Sequence, residues 1–456
     1  MGMVNNETKK KKKYILRSGM AVVLAAGIGL STIPSAVSAE QSIVSVHNWS
    51  QPQLKAPIVK PAWTLKVDSD NGWDKSLHGQ AKAEDGKVFA FAGGKLVAVD
   101  AASGKKLWSY GNGNNLMPNM RYYNGAIIGL TKEGKAYSLN AKNGKQQWIS
   151  STAYGVVDSI VPIGDKAYLM QSSSKMTALE LGSGKYLWTA EEPNSTGGSD
   201  SLMVADGVVI RSFIVQGALS SVQIDGFDDK TGKKLWGHFR QNMPLLIKDG
   251  LLYSVNDPYP FADDTADRSV KISIMNVKTG AVKGERVYSW KLPGEPPYTQ
   301  SSGINGNAFL DGDDLYVFQG MVIAKYDFAN YKLGAAPVKK YNAPYGDLVS
   351  LGRIHQGRML FQNYNNGNLI GMKLENGQAV GWAGDNPVNQ IDIYGSTIYT
   401  GQSDGMFHAF DVQSTKALFS VKTDTRNYGP TLKTGGNLII QAEGKLIGIK
   451  LPAALK

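Results

Sequence analysis

Three aspartates, Asp263, Asp264 and Asp267, stand within the insertion NDPYPFADDTADRS at positions 256–269, and four tyrosines, Tyr154, Tyr298, Tyr345 and Tyr428, stand in short polar connections. Clustered carboxylate oxygens are the donors calcium takes, and a tyrosine offers rigid apolar area with a polar tip, a combination suited to a binding rim. The acids match no EF-hand spacing, so the chemistry to expect of these seven residues is binding, with no metal required. The chain has no cysteine, which removes disulfides, thiol catalysis and thiolate metal sites. Its five histidines (His47, His78, His238, His355 and His408) form no His-x-x-x-His pair, and zinc chemistry has no support.

The beginning of the chain is a targeting pattern. Lys9 to Lys13 and Arg17 precede the apolar run GMAVVLAAGIGL, and SAVSAE follows with Val37 and Ala39 at the positions a signal peptidase reads. A signal peptide over 1–39 is expected, cleaved after Ala39, since the run is short of the ~20 apolar residues of a membrane span. Without a cysteine to lipidate, the product would be secreted or held at the cell surface without a lipid anchor. Taking six of the 49 Lys and Arg and one of the 38 acids away with residues 1–39 leaves 43 against 37, or +6. That balance predicts no nucleic-acid partner.

The elements that must position the candidate residues come from an internal repeat. AVDAASGKKLW (98–108) returns as SLNAKNGKQQW and again as ALELGSGKYLW, forty residues apart each time. Gly104, Gly144, Gly184 and Gly232 each precede a tryptophan by four residues, Trp108, Trp148, Trp188 and Trp236. Gly280 and Gly377 continue the series, Gly334 marks a degenerate copy, and Trp290 and Trp382 end later copies at shifted spacing. Between these marks run strands of about six residues rich in Val, Leu, Tyr and Trp, bounded by Gly, Asn, Asp and Ser. The glycine fits a turn position of positive φ, where a Cβ would clash. Units of this size cannot bury both faces alone and must stack, and four-stranded units of about 40 residues predict a propeller. The count is nine. The ninth unit ends without a fourth strand, and PAWTLKV (61–67) is an orphan strand whose Trp63 matches a repeat tryptophan. An all-β propeller closed by its N-terminal strand is therefore expected over 61–456, after a linker at 40–60.

Acid, three residues, glycine, three residues and tryptophan resembles the tryptophan-docking motif of pyrroloquinoline-quinone-type propellers, whose norm is eight blades. The resemblance implies that Trp108, Trp148, Trp188 and Trp236, with Trp63, lock neighbouring blades, and that Gly104, Gly144, Gly184 and Gly232 hold the turns they pack on. The family includes quinone- and calcium-dependent dehydrogenases, many with a disulfide ring of adjacent cysteines that this chain cannot form. Its non-catalytic members are similar to a lipoprotein propeller that assists β-barrel assembly, but this chain lacks the lipidated cysteine and its lysine-rich signal resembles one from a Gram-positive cell. The expectation is a monomeric scaffold without cofactor that binds a protein or a cell-envelope polymer, a quinone-dependent dehydrogenase being the alternative. In an antiparallel blade, the loop between strands two and three shares a face with the connection to the next blade. The insertion and the tyrosines fall in such segments, so that face is the expected binding face.

Overall fold

The computed structural model describes residues 54–69, 81–113, 115–171, 174–216, 220–257, 266–294, 307–344, 347–382 and 384–455. Nine antiparallel sheets of four strands form the blades of a ring. In chain order they span 82–110, 116–153, 159–191, 195–239, 246–291, 308–342, 348–382, 388–422 and 432–450. Strands are lettered a to d within each blade. The a strands of neighbouring blades touch one another, so they line the channel and the d strands form the outer rim. Blade 9 supplies only a, b and c; its d strand is Trp63–Lys66, paired with Lys445–Lys450 so that Trp63 faces Gly448. Nine blades, not the family's eight, close on the N-terminal strand, and every pair of blades has its own apolar core. Among the described residues no helix is long and apolar enough to cross a membrane.

The repeat's acid and glycine have separate tasks in the c–d turn. Asp100 accepts hydrogen bonds from the backbone N–H and hydroxyl of Ser103, at 2.8 and 2.6 Å, and those bonds lower its pKa. Asp228 with Thr231 and Asp411 with Ser414 repeat the arrangement. Gly104 then closes the turn at φ +68°, its N–H donating to Asp100 O at 2.8 Å. Such a side-chain bond fixes a turn locally, which explains why an acid or amide recurs there.

Trp63, Trp108, Trp148, Trp188 and Trp236 each cross to the next blade. A Cβ added to Gly104 would meet Trp63 Cγ at 2.7 Å, and one on Gly144, Gly184, Gly232 or Gly280 would lie 2.3–2.6 Å from Trp108, Trp148, Trp188 or Trp236. The indole N–H donates to the carbonyl just after the acid: Trp63 to Ala101, Trp108 to Ala141, Trp148 to Leu181, Trp188 to Asp229 and Trp236 to Val277, at 2.8–3.2 Å. The ring thus fills a glycine-sized gap and satisfies its one donor across the interface.

From the d strand of blade 5 onward the device changes. Trp290 does not dock; it pairs with Arg268 at the far end of the outer hairpin. Arg286 donates instead to Phe328 O, the equivalent carbonyl of blade 6, with its guanidinium 4.2 Å from the Phe328 ring centroid. Lys339 does the same to Leu374 O of blade 7 at 2.6 Å. Trp382, fully buried, reaches Asp411 O of blade 8, whose turn carries Thr415 at φ +59° where other blades have glycine. A β-branched residue there is strained by about 1–2 kcal/mol. Thr415→Gly is expected to raise the unfolding free energy by about 1 kcal/mol after glycine's entropy is discounted, read by chemical denaturation.

The expected linker is partly a strap. Pro57 to Val59 lie parallel to the outer strand of blade 8, with Val59 N to Ser420 O at 2.8 Å and Ser420 N to Pro57 O at 2.9 Å. Leu54 packs against the core between blades 7 and 8 that holds Trp382.

Candidate functional site

The b–c loops and the connections from d to the next a emerge on one face of the ring, the c–d and a–b turns on the other. Two hollows open on the first face. One, of about 650 Å³, lies over blades 9, 1 and 2. Its polar groups are engaged: Asp68 accepts from Gly93 N and Gly94 N at 2.7 and 2.8 Å, buried Gln441 bridges Ala81 N and Pro430 O, and Glu443 accepts from Asn427. The other, of about 1580 Å³, lies over blades 5 to 7 and is walled by Trp290, Phe309, Phe318, Met321, Val349 and Leu351. Met321, Val349 and Leu351 remain 58%, 54% and 42% exposed. Their side chains come from a b–c turn of blade 6 and the a strand of blade 7, Leu348–His355. Apolar side chains left exposed at the rim of a hollow mark an interaction surface more than an isolated exposed leucine does.

Of the seven residues expected at a rim, three are among the described residues, and they stand in separate parts of the ring. Tyr298, Tyr345, Asp263 and Asp264 lie outside the described residues. Asp267 opens the c strand of blade 5 and is exposed, 3.8 Å from Lys291. Tyr154 is half-buried against the core of blades 2 and 3, and burial raises its pKa. Tyr428 is a correction. It is only 5% exposed, packed in the core of blades 8 and 9 with its hydroxyl 2.5 Å from Thr423 Oγ1, and burial pushes its pKa up to about 12. The apolar side of a tyrosine serves a blade interface as readily as a rim, and the Tyr-Gly dipeptide does not distinguish them.

Two buried polar groups sit inside blades, away from both hollows. In blade 4, Lys234 reaches Asp225 at 2.9 Å and Glu192 at 2.5 Å; burial pushes Asp225 up to about 6 against the pull of that ammonium. In blade 8, His408 Nδ1 meets Ser420 Oγ at 2.7 Å, while its Nε2 and the side-chain polar atoms of Thr400 and Gln402 find no partner among the described residues. Burial keeps His408 below the ordinary histidine range. Neither group lines either of the two hollows.

Residues 48–212 match the family model described as outer membrane protein assembly factor BamB. The matched segment takes in blades 1 to 3 and the first part of blade 4. A tetrathionate hydrolase from Acidithiobacillus ferrooxidans is 28% identical over 171 residues, 35% of this chain and 34% of that protein. The dehydrogenase subunit of a quinone alcohol dehydrogenase from Gluconacetobacter polyoxogenes is 32% identical over 106 residues, 21% of this chain and 14% of that one. An outer membrane protein assembly factor BamB from Taylorella asinigenitalis is 24% identical over 215 residues, 45% of this chain and 53% of that one. These matches span at most about half of each relative's length, and they include enzymes as well as an assembly factor.

For a quinone-type propeller the residues can be tested against quinone and calcium. No adjacent-cysteine ring is possible, and among the described residues no three His, Asp or Glu side chains gather as a calcium site would need. The described residues thus offer no calcium donor set. The apolar wall, by contrast, escaped the sequence reading. One signal was available in QGMV (319–322), which puts methionine in a b–c turn where blades 1 and 9 have Gly94 and Gly444.

Proposed function

We propose that the protein is an exported, non-catalytic propeller scaffold that binds a protein partner on the b–c face of blades 5 to 7. The observation that carries this reading is the exposed apolar set Met321, Val349 and Leu351 at the 1580 Å³ hollow. Aromatic and methionine side chains around such a hollow supply the anchors that dominate protein interfaces. The match to an assembly-factor model supports a scaffold, and the basic opening followed by an apolar run supports export. A double variant, Met321→Asp with Leu351→Asp, tests the reading in cross-linked capture from cells. Recovery of the bound partner is expected to fall at least about tenfold at unchanged melting temperature, each lost anchor being worth about 1–2 kcal/mol. Undiminished recovery would remove this face from the account.

A further inference from the structure

Ser420, on the d strand of blade 8, joins three parts of the ring. Its backbone holds the strap, since Val59 N donates to Ser420 O at 2.8 Å and Ser420 N donates to Pro57 O at 2.9 Å. Its hydroxyl meets Nδ1 of His408, its partner on the c strand, at 2.7 Å. His408 pairs in turn with Thr400 on the b strand, and Gln402 stands two residues further along the same face. Ile398 and Phe410 belong to that face and pack in one core with Trp382 of blade 7 and Leu54 of the strap. Strap, histidine and the interface of blades 7 and 8 are therefore one connected unit.

His408, Thr400, Gln402 and Ser420 are at most 3% exposed. Nε2 of His408, Oγ1 of Thr400 and both amide atoms of Gln402 have no hydrogen-bond partner among the described residues. A neutral imidazole has one donor and one acceptor nitrogen, whereas the imidazolium has two donors and a full charge. Thr400 and Gln402 can offer that charge oxygen dipoles but no counter-charge. Asp385 and Asp404 are near enough to favour the charged ring, yet burial outweighs them. Their carboxylates are already engaged, Asp404 by Met406 N and by Asn386, Asp385 by Asn386. The other charged side chains of the surrounding elements are turned elsewhere. Lys422 is exposed, 3.4 Å from Asp424, and Arg358 of blade 7 donates to Gln356 O and Gln413 O. Asp392 on the a strand accepts from Thr431 N on the side of blade 9, and Lys55 and Lys60 of the strap are exposed.

We infer that the strap is a pH-released latch: a proton taken up by His408 loosens the interface of blades 7 and 8 and frees residues 54–59 from the outer edge of blade 8. Charging an imidazole inside an apolar interface carries a desolvation cost that is absent once the ring reaches water. The closed latch therefore binds the proton more weakly than the open one. Its stability is full above the ordinary histidine pKa of about 6.5 and is lost as pH falls toward the depressed value of the closed state. Release leaves the edge of Ala417–Lys422 bare, a row of backbone groups open to pairing. The latch is independent of docking at blades 5 to 7.

Hydrogen exchange of the full chain, read by mass spectrometry and corrected for the intrinsic rate at each pH, tests this. Protection in peptides covering Val59 and Ser420 is expected to fall about tenfold between pH 7 and pH 5. Protection around Leu181 of blade 3, whose N–H is held by Asp165 O, should stay constant. The midpoint should coincide with the titration of the His408 ring followed by nuclear magnetic resonance. In His408→Gln, which carries a neutral amide, the fall should vanish. Should that variant fold poorly, the two midpoints in the unaltered chain decide the matter alone. Strap exchange that ignores pH, that responds equally in a folded His408→Gln, or whose midpoint stands apart from the His408 titration overturns the inference.

Discussion

Deletion of residues 54–66 is expected to open the ring and abolish its single cooperative unfolding transition. The deletion removes the d strand of blade 9 with its four paired residues, leaving Lys445–Lys450 as a bare edge. It also removes Trp63, 9% exposed, from the core it shares with Val88, Val97 and Ile439, and leaves the Ala101 carbonyl without its indole donor. Loss of a buried aromatic alone costs about 3–5 kcal/mol, and a bare apolar edge invites association between chains. Calorimetry with size-exclusion chromatography should show a broadened, lower transition and larger species. Deletion of 54–60 alone, which strips Leu54 and the Pro57–Val59 strap but leaves Trp63, should give a smaller drop with the ring still closed. Equal behaviour of the two truncations would show that the N-terminal strand does not close the ring.

Gly184→Ala should destabilise far more than Gly377→Ala. Both glycines hold c–d turns at positive φ, +71° and +75°. A left-handed alanine costs about 1–2 kcal/mol at either position. At Gly184 the new Cβ would also lie 2.3 Å from Trp148 Cε3, whereas at Gly377 it meets open space. Forcing an atom into a packed interface adds about 1–3 kcal/mol, so the two variants should differ by about 2 kcal/mol in denaturant unfolding. Pairing Gly184→Ala with Trp148→Ala should cost less than the sum of the single changes, since each removes the same contact.

Blades 1 to 5 were legible because the interfaces from 9/1 to 4/5 each carry a tryptophan, a glycine and an acid or amide, so there the sequence repeats what the packing repeats. The a strands were not recognised. Lys82–Glu84, Leu246–Lys248 and Leu432–Thr434 are three residues long and partly polar, as befits a channel wall, and carry no apolar alternation. Their turns were a usable signal: Asp85-Gly86, Asn124-Gly125, Asp206-Gly207 and Asp249-Gly250 have positive φ at both residues, the hairpin turn that these dipeptides favour. The docking residue of blade 5 was not legible either, for a physical reason. A guanidinium can donate to the same carbonyl and stack on the same ring as an indole, so Arg286 fills the docking role without resembling tryptophan. The apolar wall over blades 5 to 7 is assembled from three blades, and no single stretch of sequence displays it.

Because the chain contains no cysteine, single-cysteine variants report each face without background. Photo-activatable cross-linkers on Met321→Cys and Leu351→Cys should capture one and the same partner from cells. The same reagent on Lys278→Cys and Glu375→Cys, exposed in c–d turns of the opposite face, should capture none. Capture from the c–d turns with silence at Met321 and Leu351 would contradict the account.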